Sequence, residues 1–299
     1  MDSVLECLPR GSRVAILRLR SLGDCVLTTP ALDILKRCRP DLRIAVFVEN
    51  RFREVFEGNP HLAEIHLPEL SALRRFRPQL CLNFHGGTRS AWMTELSGAR
   101  YRAGFLHYRQ QFVYNVQIPR AQEILHVDRT VHTAEHLASA IFFLGAPDCA
   151  IPRAKLFAAG YAPPTLESRS AVIHPVAATQ EKTWAPANFL GVAAQLVDSG
   201  ITPVFTGSPE DDLTPFRQYR TLQSSLSDLK SAMAAASLFV GNDSGPAHMA
   251  AAFGVPSVVV FGPSDPAIWG PWRTTGEVVA MDSGVNEVLT ALQRLRVPA

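Results

Sequence analysis

The feature that most constrains the fold is an alternation of short apolar strands and amphipathic helices that runs along the chain twice. In the first half, an apolar run at 13–19 precedes a glycine turn and a helical pattern that begins at Thr29-Pro30, a typical N-cap and first-turn proline. After a passage rich in proline and alanine, the alternation resumes with an apolar strand at 171–174. Short helices between apolar strands predict βαβ units, whose parallel sheets are covered on both faces.

The predicted elements form two series that are joined by a linker near 150–168. Strands are expected at 13–19, 43–48, 79–83, 171–174, 202–206, 237–240, 256–261 and 277–280. Helices are expected at 30–38, 88–96, 130–144, from about 189 to a closing glycine at 200, and at 227–236, 246–253 and 285–295. We therefore predict an α/β protein with two Rossmann-like domains, residues 1–155 and 156–299. Their parallel sheets are expected to face a cleft, with ligands at the carboxyl ends of the strands.

Charge is divided unevenly between these halves. The chain of 299 residues has a formal net charge of +2, which gives no support for a protein that coats nucleic acid. Residues 1–155 nevertheless hold 21 Lys and Arg against 15 Asp and Glu, whereas residues 156–299 hold 8 against 12. The asymmetry predicts different ligands for the two halves, and arginines such as Arg18, Arg20 and Arg51 suit an anionic one. The alternative is a basic surface that only favours solubility.

Cysteine usage and the apolar runs predict a cytoplasmic protein. The five cysteines are scattered, odd in number and free of C-x-x-C spacing, which favours reduced thiols without disulfides. The N-terminal sequence has acids before its first basic residue and lacks the apolar run of a signal peptide. No stretch reaches the roughly 18 to 20 apolar residues of a spanning helix. We expect neither export nor membrane insertion, and contact with a membrane surface stays open.

The strongest local sign of chemistry is the sequence VGNDSGPAHM at 240–249, where a strand ends and a helix opens at a proline. The free backbone amides of Gly245, Ala247 and His248, together with the positive end of the helix, form a natural cradle for a phosphate or diphosphate. The alternative is that Asp243 and Ser244 only cap the helix.

A second candidate is the loop HPVAATQEKTW at 174–184, at the carboxyl end of the first strand of the second half. Lys182 could reach an anion held at the cleft; the alternative is a solvated loop lysine. After the following strand, Glu210, Asp211 and Asp212 offer carboxylates to the hydroxyls of a ribose, or simply form a solvated helix start.

In the first half, the sequence RLRSLGD places Asp24 after the first strand, on the side of the predicted cleft. A carboxylate that faces an activated, phosphate-bearing donor can act as general base for an incoming hydroxyl. The alternative is a structural aspartate at a helix start. The turn lacks G-x-G-x-x-G, which disfavours a dinucleotide-dependent dehydrogenase.

One rival motif is His132-Thr-Ala-Glu-His136, which matches the H-x-x-E-H of inverted zincins and places two histidines on one helical face. No third ligand is apparent. Apolar residues between them favour an amphipathic helix with its polar residues on the outer face, so we expect no metal site.

Three segments together resemble glycosyltransferase family 9, the ADP-heptose:lipopolysaccharide heptosyltransferases. They are RLRSLGD, HPVAATQEKTW and GNDSGPAHMAAAFGVPSVVVFGPSDP, which occur in the right order over nearly the whole chain. The resemblance implies a GT-B fold, an acceptor bound by the N-terminal domain and an ADP-sugar bound by the C-terminal one. It also implies an anionic glycolipid acceptor, no cofactor, and a place at the cytoplasmic face of the inner membrane without an anchor.

The resemblance also assigns roles to residues. Asp24 matches the catalytic base and Lys182 the lysine that contacts the donor phosphates. Asp243, Ser244, Gly245 and His248 match the element that holds the donor sugar and diphosphate, and Glu210 is the simplest match to the ribose contact. Where the family has glycine and hydroxyl residues ahead of the lysine, this chain has valine and two alanines at 176–178, so that Thr179 is the nearest hydroxyl.

These assignments imply a single inverting displacement without metal. Asp24 would take the proton of an acceptor hydroxyl while Lys182 and the helix start stabilise the departing diphosphate. A nucleotide-sugar epimerase, a different sugar transferase or a non-catalytic nucleotide-sugar-binding module are the alternatives.

Overall fold

The structure, a computed structural model, describes residues 3–158 and 169–295 and divides the chain into two compact units, Met1–Pro152 and Arg153–Ala299. Of the linker predicted at 150–168, residues 159–168 lie outside the described residues. Each unit contains a six-stranded sheet whose neighbouring strands are all parallel. The α/β class with two Rossmann-like domains is therefore confirmed.

The first unit alternates strands and helices from its N-terminus. Its strands are β1 Arg13–Leu17, β2 Arg43–Phe47, β3 Glu64–His66, β4 Leu80–Asn83, β5 Tyr101–Phe105 and β6 Val116–Ile118. Its α-helices are α1 Val4–Cys7, α2 Leu22–Cys38, α3 Arg53–Phe56, α4 Leu70–Phe76, α5 Thr88–Glu95, α6 Ala121–Leu125 and α7 Thr133–Phe143, with 3-10 turns at Asn50–Phe52 and Gln111–Val113.

The second unit repeats the pattern. Its strands are β7 Ser170–His174, β8 Thr202–Gly207, β9 Arg220–Gln223, β10 Leu238–Asn242, β11 Ser257–Phe261 and β12 Gly276–Ala280. Its α-helices are α8 Pro186–Asp198, α9 Leu226–Ala235, α10 Gly245–Phe253, α11 Pro266–Trp269 and α12 Val285–Arg294, with 3-10 turns at Gln180–Lys182 and Thr214–Phe216. None of the helices in the described residues is long and apolar enough to cross a membrane.

Both sheets have the same strand order. The first is β3-β2-β1-β4-β5-β6, and the second, read from its other edge, is β9-β8-β7-β10-β11-β12. In each sheet, the first three strands along the chain follow one another towards one edge, and the next three follow one another towards the opposite edge. The switch therefore falls between β1 and β4 in the first unit and between β7 and β10 in the second. In such sheets, ligands bind outside the carboxyl ends of the two strands at the switch.

The strands that are buried along their whole length lie in the interior of each sheet. Every residue of β4, β7, β10 and β11 is buried, which matches the uninterrupted apolar runs of parallel strands. The edge strands are different: β9 is mostly exposed along its sequence RTLQ. The strands β3, β5, β6 and β9 were not predicted, because three to five residues of mixed polarity carry no clear periodicity.

One helix boundary was predicted wrongly. Helix α2 begins at Leu22 rather than at Pro30, which lies inside it, so Thr29 is not an N-cap. A proline inside a helix deprives the carbonyl four residues earlier of its usual amide donor. Here the Thr29 hydroxyl donates to that carbonyl, Val26 O, at 2.8 Å. Because the hydroxyl replaces the missing amide donor, the helix extends on the N-terminal side of Pro30 as far as Leu22. Asp24 therefore lies in the first helical turn.

Candidate active site

Lys182 lies at the switch point of the second unit, where three loops meet. It closes the 3-10 turn that follows β7, and its ammonium donates to Asp243 Oδ2 at 2.8 Å and to Ser264 Oγ at 2.5 Å. Asp243 follows β10, and Ser264 follows β11. The Asp243 side chain is almost fully buried, whereas about a third of the lysine side chain is exposed. Since an ammonium has three donors, one remains for a ligand that reaches this edge from solvent.

A glycine permits this convergence. A Cβ at Gly262 would lie 2.7 Å from the backbone oxygen of Glu181, a separation that real Cβ atoms essentially never show. The loop after β11 can therefore approach the loop that carries Lys182 only with glycine at this position. The close approach explains why a glycine directly follows β11.

The buried side-chain amide of Asn242 anchors the loop 175–184, which carries Lys182. Its Oδ1 accepts the backbone N–H of Trp184 at 3.0 Å, and its Nδ2 donates to Pro175 O at 2.9 Å. The Trp184 indole is buried and donates to Ser283 O at 3.0 Å. Both ends of the loop are thus bonded to the last residue of β10. Sequence reasoning missed Asn242 and assigned no role to Ser264; the available sign was a polar residue that closes an apolar strand.

The start of α10 is not capped by a side chain. Ser244 occupies the N-cap position, but its hydroxyl donates to Asn242 O at 3.2 Å instead of accepting a helix amide. The Asp243 carboxylate is engaged by Lys182, so the alternative that these two residues only cap the helix is wrong. Within the described residues, the N–H of Gly245 has no hydrogen-bond partner. His248 lies buried in the same helix. An uncapped helix start beside an ammonium favours an anion.

The three acids after β8 differ in what they do. Asp211 Oδ2 accepts the Ser208 N–H at 2.7 Å, and Asp212 Oδ1 accepts the Thr214 N–H at 2.8 Å, so both form local turns. Glu210 is exposed, and its carboxylate has no partner among the residues described. Thr179 is also exposed, and its backbone oxygen accepts the Lys182 N–H at 3.1 Å.

Asp24 lies at the switch point of the first unit. It belongs to the first turn of α2, directly after the loop that leaves β1. Its Oδ1 pairs with Arg18 Nη1 at 3.3 Å and its Oδ2 accepts the Ser21 hydroxyl at 3.0 Å, while a quarter of the side chain stays exposed. Ser21 is the N-cap residue, yet its side chain serves the aspartate rather than a helix amide. The carboxylate is thereby held on both oxygens and remains open to solvent.

The three arginines predicted to meet the acceptor lie in different environments. Arg18 is buried and needs its ion pair with Asp24, because an unpaired buried charge is costly. Arg20 is exposed. Arg51 is exposed, pairs with Glu49 at 3.0 Å and stacks over the Phe52 ring.

Aromatic and histidine side chains cluster at the carboxyl ends of β4 and β5, and of these sequence reasoning had considered only His136, as a metal ligand. The His136 ring stacks on Phe105 with centroids 3.9 Å apart, and the His107 ring lies 5.3 Å from that of His136. Burial, reinforced by His107 and Arg18, lowers the pKa of His136 to about 4, so the ring is neutral at pH 7. At the end of β4, burial and the charges of Arg18 and Arg20 lower the pKa of His85.

The H-x-x-E-H motif has a structural role. His132 Nδ1 accepts the Ala134 N–H at 3.1 Å at the start of α7, and Glu135 accepts the His132 N–H and pairs with Arg129 at 2.7 Å. The prediction that the polar residues of this helix face outwards is wrong for both histidines, since His132 is buried and His136 packs on β5. In the described ranges, no group of three His, Cys, Asp or Glu side chains could hold a metal ion.

Comparison with known proteins decides the family. The sequence profile of glycosyltransferase family 9 (heptosyltransferase) matches residues 70–296, well over half of the chain. The chain belongs to this family. It is therefore a glycosyltransferase with the GT-B fold. Two of the alternatives that the sequence left open, an epimerase and a non-catalytic binding module, are thereby set aside.

The relatives of this glycosyltransferase agree with the assignment. It is 26% identical to lipopolysaccharide heptosyltransferase 3 of Escherichia coli over an alignment that covers 85% of this chain and 84% of that protein. Its fold is similar to a family 9 glycosyltransferase from Veillonella parvula, with a TM-score of 0.81, 21% identity and coverage of 95% and 97%. It is also similar to an E. coli heptosyltransferase solved with ADP, with a TM-score of 0.79, 20% identity and coverage of 95% and 99%.

Proposed function

We propose that this enzyme transfers a heptose from ADP-heptose to an anionic acceptor of the lipopolysaccharide core, with inversion at the anomeric carbon. The observation that carries the proposal is the Lys182 ammonium, held between Asp243 and Ser264 beside the uncapped start of α10. An ammonium and free helix amides at a switch point suit a diphosphate. The similarity to a heptosyltransferase solved with ADP and to lipopolysaccharide heptosyltransferase 3 supports the choice of donor and acceptor.

The second unit would hold the donor. Lys182 and the Gly245 N–H bind the diphosphate, with Thr179, Ser244 and His248 as the neighbouring contacts. Glu210 accepts hydrogen bonds from the ribose, because its two neighbours are committed to local turns. Asp243 keeps the lysine in place and faces the sugar.

The first unit would supply the base. The Asp24 carboxylate accepts the proton of the acceptor hydroxyl as that oxygen attacks the anomeric carbon and the bond to the diphosphate breaks. Arg18 and Ser21 orient the carboxylate through its two oxygens. Negative charge moves onto the departing ADP, where the ammonium of Lys182 stabilises it. Arg20 and Arg51 bind the phosphates or carboxylates of the acceptor. A lipid-linked acceptor would place the enzyme at the cytoplasmic surface of the inner membrane.

Transfer itself tests the proposal. With ADP-heptose and a lipopolysaccharide core that lacks its outer heptose, we expect release of ADP and an acceptor heavier by one heptose by mass spectrometry. ADP-heptose should also raise the melting temperature, since a ligand at 100 times its Kd adds about 2.7 kcal/mol of stability. UDP-sugars serve as the control donors. Transfer from a UDP-sugar but not from ADP-heptose would contradict the choice of donor.

We also expect transfer to proceed without a divalent metal. The positive charge that a metal would bring to the diphosphate is supplied by Lys182 and the start of α10. After EDTA treatment and desalting, the turnover rate should match that of the untreated enzyme. Loss of activity that magnesium, manganese or zinc restores would show that these groups do not suffice.

A further inference from the structure

Large apolar side chains are exposed next to one another on α5 and the turn that packs on it. Trp92 is 47% exposed and Phe112 is 70% exposed, and their rings meet edge to face with centroids 6.3 Å apart. Leu96 follows Trp92 by one helical turn and is 44% exposed. We name these three side chains the Trp92 patch.

Two arginines border the Trp92 patch. Arg89, one turn before Trp92 on α5, donates to Pro68 O at 2.7 Å. Arg74 donates through Nε to Leu96 O at 2.8 Å. The surrounding sequence is strongly basic, because residues 67–113 contain seven arginines against two glutamates.

The exposed apolar side chains are not part of the hydrophobic core of the unit. Helix α5 buries Ser90, Ala91, Met93 and Thr94 and turns Arg89, Trp92 and the residue after its end outwards. The outward face of a surface helix is normally polar. Exposed apolar residues that occur singly need no explanation, but a contiguous group with a charged rim marks an interaction site.

We propose that the Trp92 patch docks the enzyme onto a bilayer surface that contains anionic phospholipids. Tryptophan favours the interface between headgroups and acyl chains, where its ring is half in an apolar medium. Arginines at the rim extend to lipid phosphates, so the charge of the patch complements that of the membrane. The proposal rests on the proposed function in that the acceptor is lipid-linked.

The size and charge of the patch disfavour a second copy of the chain as its occupant. The two aromatic rings together expose roughly 200 to 300 Å², given that such side chains present 150 to 250 Å² each. A stable protein interface needs about 800 Å² on each partner. Two copies placed patch to patch would also bring their arginines together. A reversible membrane contact requires less area.

The patch is close in the fold to the catalytic edge of the first unit. Helix α5 is joined to β4 by the short loop 84–87, and β4 is the neighbour of β1, after which Asp24 follows. Gln110 Nε2 also bonds Thr88 Oγ1 at 3.0 Å, which ties the turn containing Phe112 to the start of α5. Docking through Phe112 and the first turns of α5 would thus hold the carboxyl edge of this sheet near the membrane, where a lipid-linked acceptor lies.

Flotation with lipid vesicles tests the proposal. The full-length enzyme is mixed with vesicles of phosphatidylglycerol and phosphatidylethanolamine or with vesicles of phosphatidylcholine, without donor or acceptor. We expect binding to the first kind only, weakened at about 0.5 M salt by screening. The double variant Trp92→Ser/Phe112→Ser should lower the partition coefficient by roughly tenfold or more, because binding scales with buried apolar area. The matched control is Phe143→Ser, an exposed aromatic residue on α7.

The outcomes separate this proposal from the proposed function. Vesicle binding that is lost in the double variant but kept in the control, with normal turnover of a delipidated soluble acceptor, supports the patch whatever sugar is transferred. Failure of the wild type to float, or equal flotation of the double variant, overturns it even if transfer occurs. A concentration-dependent dimer that disappears in the double variant, by size exclusion with light scattering, assigns the patch to a second copy and also overturns it.

Discussion

Asp24→Asn is expected to lower kcat by about 10² to 10⁴, the usual contribution of a general base, while the affinity for the donor stays nearly unchanged. Asparagine keeps an oxygen for the Arg18 guanidinium and a near-identical shape, but its amide cannot accept the acceptor's proton. The donor is assigned to the other unit, so its binding should not depend on this side chain. Turnover, donor affinity and melting temperature measured on one preparation check the prediction.

The control for Asp24 is another aspartate on the same helix. Asp33 pairs with Arg37 at 3.3 Å and with His61 at 3.1 Å, and it is buried, so Asp33→Asn also removes a carboxylate from ion pairs of α2. We expect this variant to lose stability but to retain kcat. If Asp24→Asn folds, binds donor and keeps more than about a tenth of wild-type kcat, then at most about 1.4 kcal/mol of transition-state stabilisation is lost. That result would remove Asp24 from the mechanism and leave it a structural role.

Lys182→Met is expected to weaken donor binding and to lower kcat by about 10² to 10³, as the loss of one preorganised group that stabilises developing charge typically does. In the proposed mechanism the ammonium contacts the leaving diphosphate directly, and no other cation is bonded to Asp243 and Ser264 within the described residues. Titration calorimetry with ADP and steady-state kinetics measure the two effects separately.

A second variant separates the loss of Lys182 from the exposure of its partner. Without the lysine, the buried Asp243 carboxylate is left unpaired and would repel a diphosphate, which could alone explain weaker binding. The double variant Lys182→Met/Asp243→Asn removes that charge. We expect it to remain as inactive as the single variant. Recovery of ADP affinity and turnover would mean that the lysine only neutralises Asp243 and does not itself hold the donor.

Local sequence was sufficient for most of the elements. Apolar runs and helical periodicity predicted β1, β7, β10 and β11 within about two residues and the helix α8 within about three, because both patterns depend on near neighbours in the chain. The same reasoning placed the candidate loops after strands and selected Lys182 and Asp243 as candidate site residues.

Local sequence was misleading where a distant partner or an unusual hydrogen bond decided the structure. Proline indicated a helix start at Pro30, but the Thr29 hydroxyl supplies the missing donor and the helix runs through. The polar histidines of α7 were expected on its outer face, yet His136 stacks on Phe105 of β5. In both cases a side-chain interaction overrode the average preference of the residue type.

The sequence by itself therefore determined which segments are strands and helices, that they form two series, and which loops carry polar side chains. The tertiary structure alone decided which of those loops meet. Lys182 reaches Asp243 and Ser264 across 61 and 82 residues of chain because the strand order places β7 beside β10 and β10 beside β11. The same holds for Trp92 and Phe112, which meet only when α5 and the turn after β5 pack together. Strand order and helix packing depend on contacts between residues far apart in sequence, and no local pattern contains that information.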